Sequence, residues 1–420
     1  MKATSLRRWL ALFAGLGLVF AACSPGESGE AEEPIRIGGT LSLTGPLAPT
    51  AQIHDIVAKA YVKMLNEQGG LLGRRVEWVV LDDKSEPEQS AALYERLVTQ
   101  ENVDLLMGPY GTANITAAMA VAERYGYVFP HHTASLTYAY TYERHFPTWF
   151  VGLNTHYTTP EKIFDSYLTL DDPPKTVGFV INRFPGTDFL AHGQDEQRGA
   201  LRAGGGAVEV AKQKGLHVVL DVAFDIGTTD FAPIASRIKN ADPDLLYVGG
   251  LGEDGPNLLA AMKQQGYQPR NHFYQWPSPG PMLAAGELAD GATSVTIFES
   301  HEPYLSNEGA QELVDRYSAA AKAGGLSYTK PETQAGASWA AWQVLVAGVE
   351  GCQCLDQEKI ADYLLNNTVK TVQGDFDFRP EEQNYGGDIQ TIKQIQDGEW
   401  YVVWPEESAG EGRKLEGPLR

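Results

Sequence analysis

Apolar positions along the chain follow two alternating rhythms. Ile35, Ile37, Leu41 and Leu43 recur at a period of two and predict a strand over 35–43. Gly45-Pro46 ends it, and Ile56, Ala60, Met64 and Leu65, on one face at helical spacing, predict a helix over about 51–68. The block GGLLG (69–73) stops that helix, and RVEWVVLDD (75–83) predicts the next strand. A helix near 87–101, an apolar strand VDLLMG (103–108) and a helix near 112–125 follow. YVFPHH, a Tyr-rich loop and WFVGLN close this first stretch.

The same grammar then restarts. Strands are predicted at 175–182, 216–224, 243–250 and 271–276, with a Gly-interrupted helical region after the first and helices at 230–240 and 256–265. Helical patterns near 307–323, 332–350 and 356–366 precede short strands at 368–378, 391–396 and 399–404. Alternation of this kind predicts an α/β protein: two doubly wound parallel-sheet lobes in tandem, with a C-terminal part that returns to one or both. A chain of 420 residues exceeds the size at which one core stops growing, which agrees with two lobes. In such sheets, ligands sit where strand ends meet helix N-termini.

Charge narrows the partners. A net charge of −21 argues against nucleic acid, which needs a basic face. The N-terminus has a different composition. Arg7 and Arg8 precede an apolar run from Trp9 to Phe20, then Ala21, Ala22 and Cys23. This reads as an export signal over 1–22, too short to span a membrane stably. FAAC resembles a bacterial lipobox, with Phe20 where Leu is commoner, so Cys23 is expected to be lipidated. Cleavage would remove three basic residues and no acids, taking the charge from −21 to −24. Residues 23–34 then form a flexible acidic tether.

Candidate chemistry is mostly excluded. Gly250-Leu251-Gly252-Glu253-Asp254-Gly255 matches a dinucleotide fingerprint between a strand and a helix. Yet Glu253 and Asp254 lie where a pyrophosphate would approach, and no acidic residue follows before Glu287 to hold a ribose. A βα turn with acidic capping residues and Pro256 in the first helical turn accounts for it. No phosphate loop and no nucleophile elbow occur in the chain. His131 and His132 are adjacent, so in a strand they point oppositely: a poor chelate, with one ring expected buried and the other facing a pocket. The carboxylates of LDDKSEPEQ (81–89) fit a strand end and a helix start. Cys352 and Cys354 are left as structural residues, because a pair one residue apart has poor disulfide geometry on a helix or strand. No catalytic set, metal site or cofactor is expected.

Binding remains. Gly108-Pro109-Tyr110-Gly111-Thr112 follows a strand and opens a helix, placing Thr112 at a positive helix end suited to a small anion such as a carboxylate. Thr133 and Ser135 end the next strand with their hydroxyls on one side. The competing reading for any one of them taken alone is that it only caps a helix.

IRIGGTLSLTGPLA, NEQGGLLGRRVEWVVLDD, VDLLMGP and TTDFAPIASRIKNADPDLLYVGG, together with the lipobox, resemble the substrate-binding proteins of branched-chain-type amino-acid ABC transporters over about residues 35–405. The resemblance implies the type I periplasmic-binding fold, two lobes joined by three hinge crossings near Leu153, Phe298 and Gly387. Lobe I would comprise 35–153 and 299–386, lobe II 154–298 and 387–407, with a polar tail over 408–420. It carries the carboxylate-binding positions onto Thr112, Thr133 and Ser135, and an often aromatic first-loop position onto Thr50. A second-lobe Tyr position becomes Leu251, and the acidic ammonium partner falls near Pro277. Glu253 or Asp254 could replace that acid, while Phe184 or Trp276 could stack on the ligand. The implied protein is a monomeric, lipid-anchored solute-binding component, periplasmic or at the cell surface, with a membrane permease and an ATPase as partners. A ligand-sensing module of the same fold and a secreted dinucleotide-dependent oxidoreductase are the competing readings.

Overall fold

The computed structural model describes residues 32–419; Cys23, the expected leader and most of the tether lie outside the described residues. The first sheet is parallel, in the order β2 (Val76–Asp82), β1 (Ile35–Leu41), β3 (Leu105–Leu106). Helices α1 (Ala48–Glu67), α2 (Pro87–Thr99) and α3 (Thr112–Tyr125) follow its three strands in turn. A short parallel pair, β4 (Phe129–His131) and β5 (His145–Pro147), stands next in the chain.

The second sheet has seven strands, built from α4 (Thr155–Leu168), β6 (Thr176–Asn182), α5 (Pro185–His192), α6 (Ala207–Gln213), β7 (His217–Phe224), α7 (Ala232–Ala241), β8 (Leu245–Gly249), α8 (Asp254–Gln264), β9 (Asn271–Tyr274), α9 (Pro279–Ala284) and β10 (Thr293–Thr296). Strand β6 shows why it carries helices on both faces. Val177, Phe179 and Ile181 enter one core with Phe164 and Val210, while Val180 enters the other with Ile238 and Leu258.

The chain then runs through α10 (Ala310–Ala323), α11 (Thr333–Cys352), α12 (Gln357–Asn366) and the hairpin β11 (Val369–Thr371) and β12 (Gly374–Phe376). These return to the first sheet: Trp339, Leu345 and Ile360 share a core with Ile35, Val57 and Tyr61. Helix α11 is apolar nearly all round, as a helix enclosed by neighbours must be. Trp342 meets Trp78 edge-on at 5.2 Å, and Gly336 lets Phe298 approach where a Cβ would lie 2.4 Å from the Phe298 Cβ.

Strands β13 (Thr391–Gln396) and β14 (Glu399–Trp404) finally complete the second sheet, giving the order β14-β13-β10-β9-β8-β6-β7. Both join antiparallel, so the parallel sheet carries an antiparallel edge. Crossing segments pair at Val151 with Asp388 and at Glu299 with Glu332.

Four local expectations need correction. β10 has no counterpart among the predicted strands, because Thr293-Ser294-Val295-Thr296 is short and polar in sequence although buried throughout. The polar segment after β14 is packed along β13: Leu415 is buried, and the Gln394 and Gln396 side-chain amides donate to the carbonyls of Glu416 and Lys414 at 2.8 Å. Cys352 and Cys354 form a disulfide. Helix α11 ends at Cys352 and Gln353 takes a left-handed conformation (φ 52°), so the pair lies on a turn, its Cα atoms 5.3 Å apart. His131 and His132 are both buried; β4 ends at His131, so strand alternation does not carry on to His132. His132 stacks on His54 at 4.0 Å and His131 on His145 at 5.2 Å.

Candidate functional site

Strand β3 leads through Met107, Gly108, Pro109 and Tyr110 into α3. Gly108 passes so close to β4 that a Cβ would lie 2.6 Å from the His131 Cβ. Gly111 caps the helix at φ 94°, a conformation that favours glycine, and its N–H donates to Thr133 Oγ1 at 3.3 Å. Thr112 is the first residue of α3, and the Tyr140 hydroxyl holds its carbonyl at 3.1 Å. The segment after β4 brings Thr133 and Ser135 beside it.

These residues open into one cavity between the two lobes. Thr112, Thr133 and Ser135 form its polar wall; Trp149, Phe184, Leu251 and Trp276 form its apolar wall. Phe184 precedes α5, Leu251 follows β8 and Trp276 follows β9, so both sheets contribute. Trp276 holds a left-handed backbone (φ 48°), meets Trp149 edge-on at 6.1 Å and packs against three separate cores. Strain of that kind persists where the surroundings fix it, which is common at ligand sites. Tyr110 and Gln334 complete the lining. Burial pushes the Tyr110 phenol up to about 12, so it remains a hydrogen-bond donor at neutral pH.

Six of the expected positions thus meet around one cavity: Thr112, Thr133, Ser135, Phe184, Leu251 and Trp276. Thr50 and Glu253 do not line it. They belong to an outer chamber with Pro46, Asn182 and Thr228, which shares Tyr110 and Leu251 with the first. Burial, then the neighbouring Asp254, raises the Glu253 carboxyl. Tyr110, Trp149 and Gln334 were not anticipated. Tyr110 stands inside the quoted GPYGT stretch, but nothing in the pattern marks Gln334, which comes from a helix more than two hundred residues away.

The glycine fingerprint receives a structural account. Asp254 Oδ2 accepts the Leu251 N–H and the Asn182 side-chain amide, each at 2.9 Å. The carboxylate fills the turn that a pyrophosphate would need. The aromatic loop packs the lobes together: Tyr138 meets Phe189 edge-on at 5.4 Å, and the Arg198 guanidinium lies 5.5 Å from the Tyr138 ring.

A third chamber, sharing Trp276 and Gln334 with the first, is lined by Thr50, Ser294, Glu332 and Lys393. Among the described residues no group of His, Cys, Asp or Glu is arranged to hold a metal ion, and no helix is long and apolar enough to cross a membrane.

A periplasmic binding protein family model matches residues 34–398. The leucine-, isoleucine-, valine-, threonine- and alanine-binding protein of Pseudomonas aeruginosa is 24% identical over 354 residues, covering 83% of this chain and 86% of its own. The Leu/Ile/Val-binding protein of Escherichia coli is 22% identical over 350 residues, covering 81% and 86%. Among solved structures, a leucine-binding protein from Thermotoga maritima superposes with a TM-score of 0.69 at 17% identity, covering 87% of this chain and 97% of that one. An ABC-transporter solute-binding protein from R. palustris in complex with benzoate also scores 0.69, at 19% identity, covering 88% and 96%. With two α/β lobes around a shared cavity and a match over nearly the whole described chain, this protein belongs to the periplasmic binding protein family.

Proposed function

We propose that the chain is the extracytoplasmic solute-binding component of an ABC importer, capturing a small carboxylate-bearing ligand, an amino acid or a related organic acid, between two closing lobes. One observation carries this: the cavity sets Thr112, at the first turn of α3, beside the Thr133 and Ser135 hydroxyls, and faces them with apolar residues of the other lobe. Helix N-terminal N–H groups and hydroxyls together suit a carboxylate, while an aromatic wall suits an apolar body. Named relatives bind molecules of that kind, branched-chain amino acids in one case and benzoate in another.

The role is binding rather than catalysis, and no cofactor is required. A ligand that touches both lobes favours the closed form by its extra contacts there. Delivery needs a membrane permease and its ATPase, and lipidation of Cys23 would hold the monomeric protein beside them. Lobe I over 35–153 and 299–386 and lobe II over 154–298 and 387–407 would move about crossings near Leu153, Phe298 and Gly387. Mass spectrometry of the denatured protein should release a carboxylic acid, and small-angle scattering should show a smaller radius with it bound. An unchanged radius at saturation sinks the closing-lobe reading.

A further inference from the structure

The chamber that shares Trp276 and Gln334 with the first cavity is not needed for a carboxylate. Its charges do not balance. Lys393 on β13 reaches Glu299 at 2.6 Å and Glu332 at 3.7 Å, with all three side chains 3–7% exposed. The ammonium is already engaged, donating to Glu299 and lying 4.8 Å from the Trp400 ring. Glu332 caps α11, its Oε1 accepting the Gln334 N–H at 3.1 Å, while its Oε2 faces Lys393 beyond hydrogen-bond reach. Two buried carboxylates share one cation, and burial raises the Glu332 carboxyl despite Lys393. Among the described residues Lys393 is the cation paired with both carboxylates.

An uncharged neighbour points the same way. Gln334 is 8% exposed and lines both this chamber and the carboxylate cavity. Its amide lies near the His54 ring, yet Oε1 completes no hydrogen bond among the described residues. The neighbouring donor is the neutral His54 ring, whose nitrogens likewise complete no hydrogen bond among the described residues, so Oε1 is still able to receive one from a ligand.

We propose that this chamber is a second ligand subsite, in which Glu332 and Gln334 receive a cationic nitrogen, an ammonium or guanidinium, while the carboxylate of the same molecule lies across the Trp276 ring at Thr112 and Ser135. The inference rests on the carboxylate reading above and narrows it. The ligand class becomes carboxylic acids with a basic group set apart from the carboxylate, such as ω-amino acids and basic amino acids. Glu253, which was expected from the sequence as a replacement partner for an ammonium, lines a different chamber.

Isothermal titration tests it with matched pairs: δ-aminovalerate against valerate, para-aminomethylbenzoate against para-methylbenzoate, and pentylamine as the amine without a carboxylate. A hydrogen-bonded charge pair predicts roughly 10- to 100-fold tighter binding of the aminated acid. In Glu332→Gln, which keeps an acceptor for the helix cap, that preference should collapse toward equal binding of the two members of each pair. Equal binding of both members of each pair by the unmodified protein overturns the proposal, and so does a preference that survives in Glu332→Gln. A panel in which no aminated acid binds overturns it as well. If Glu332→Gln does not fold, the ratio within each pair in the unmodified protein decides. Pentylamine binding as tightly as δ-aminovalerate would show that the carboxylate contributes nothing, and would overturn the assignment of one ligand to both subsites together with the carboxylate reading, whereas equal binding within the pairs overturns this subsite alone.

Discussion

A Cβ placed on Gly186 would lie 2.7 Å from Ser135 Oγ and 3.2 Å from Thr112 Oγ1. The second-lobe helix α5 therefore meets the hydroxyls of the first lobe with no room for a methyl group. Gly186 is in the first turn of α5 and has no left-handed backbone, so alanine fits the helix itself and removes glycine's entropic cost. Gly186→Ala should leave the melting temperature of the unliganded protein equal or slightly higher, yet weaken ligand binding at least about tenfold by obstructing closure, a steric cost of about 1.4 kcal/mol or more. Calorimetry with a ligand identified by mass spectrometry measures both effects. Unchanged affinity would mean that the hydroxyls move aside freely.

Ser135→Ala removes one hydroxyl from the proposed carboxylate site. A hydrogen bond to a charged group is worth about 1.5–3 kcal/mol, so affinity should fall roughly 10- to 100-fold. The methyl ester of the same ligand should lose the thermal stabilisation that the acid confers. An ester that stabilises as well as the acid counts against the site.

Acid should destabilise the protein through its histidines. Burial lowers His132 to about 3 and His145 and His272 to about 4, and holds His54 and His131 well below their ordinary range. Unfolded histidine titrates near 6.5. Folded-state values below that mean that the unfolded chain takes up protons first as pH falls. Stability from these rings is complete above about 6.5 and is lost progressively toward 4, each ring contributing up to about 1.4 kcal/mol per pH unit. Melting curves between pH 7.5 and 4.5 should slope steeply downward. A flat profile over that range would show that the rings are not buried neutral.

Lys393→Met should be strongly destabilising. It leaves Glu299 and Glu332 buried without their cation, and breaking such a group costs about 3–5 kcal/mol. Adding Glu299→Gln and Glu332→Gln should restore part of the melting temperature. No recovery would mean that Lys393 matters through packing on Trp400 rather than through charge.

Cys23→Ser should move the protein from the membrane fraction to the soluble fraction or leave its leader uncleaved, because stable anchoring needs more than one acyl chain on the cysteine. Wild-type protein that partitions as soluble at every salt concentration would refute lipidation.

The fold class and the polar wall of Thr112, Thr133 and Ser135 were legible because both depend on local pattern, whereas Phe184, Leu251 and Trp276 came only from the family resemblance. β6 alternates Val177, Phe179, Ile181 against Val180, and Gly111-Thr112, set between an apolar strand and a helical pattern, marks a strand-to-helix turn. The failures share a cause: they depend on pairing between distant segments or on where an element stops. β10 is polar because its threonines meet partners supplied elsewhere, Thr293 the Tyr167 hydroxyl at 2.6 Å and Thr296 the Thr333 hydroxyl at 2.5 Å. Gln334, Glu332 and Lys393 carry no local signal and become a group only when α11 and β13 converge. His132 and Cys354 defied the period-based expectation because a strand and a helix end one and two residues before them.

β10 has β9 on one side and β13 on the other, and β13 is synthesised nearly a hundred residues later. Until those last strands arrive, the second sheet presents a raw edge with unpaired backbone groups. Its assembly is accordingly a late event in the life of the chain, governed by a closure between distant segments and slow for that reason. A ribosome-bound fragment ending before Thr391 should hold a finished β8 and β9 yet an unfinished lobe, which keeps the polypeptide loose while it is still being made.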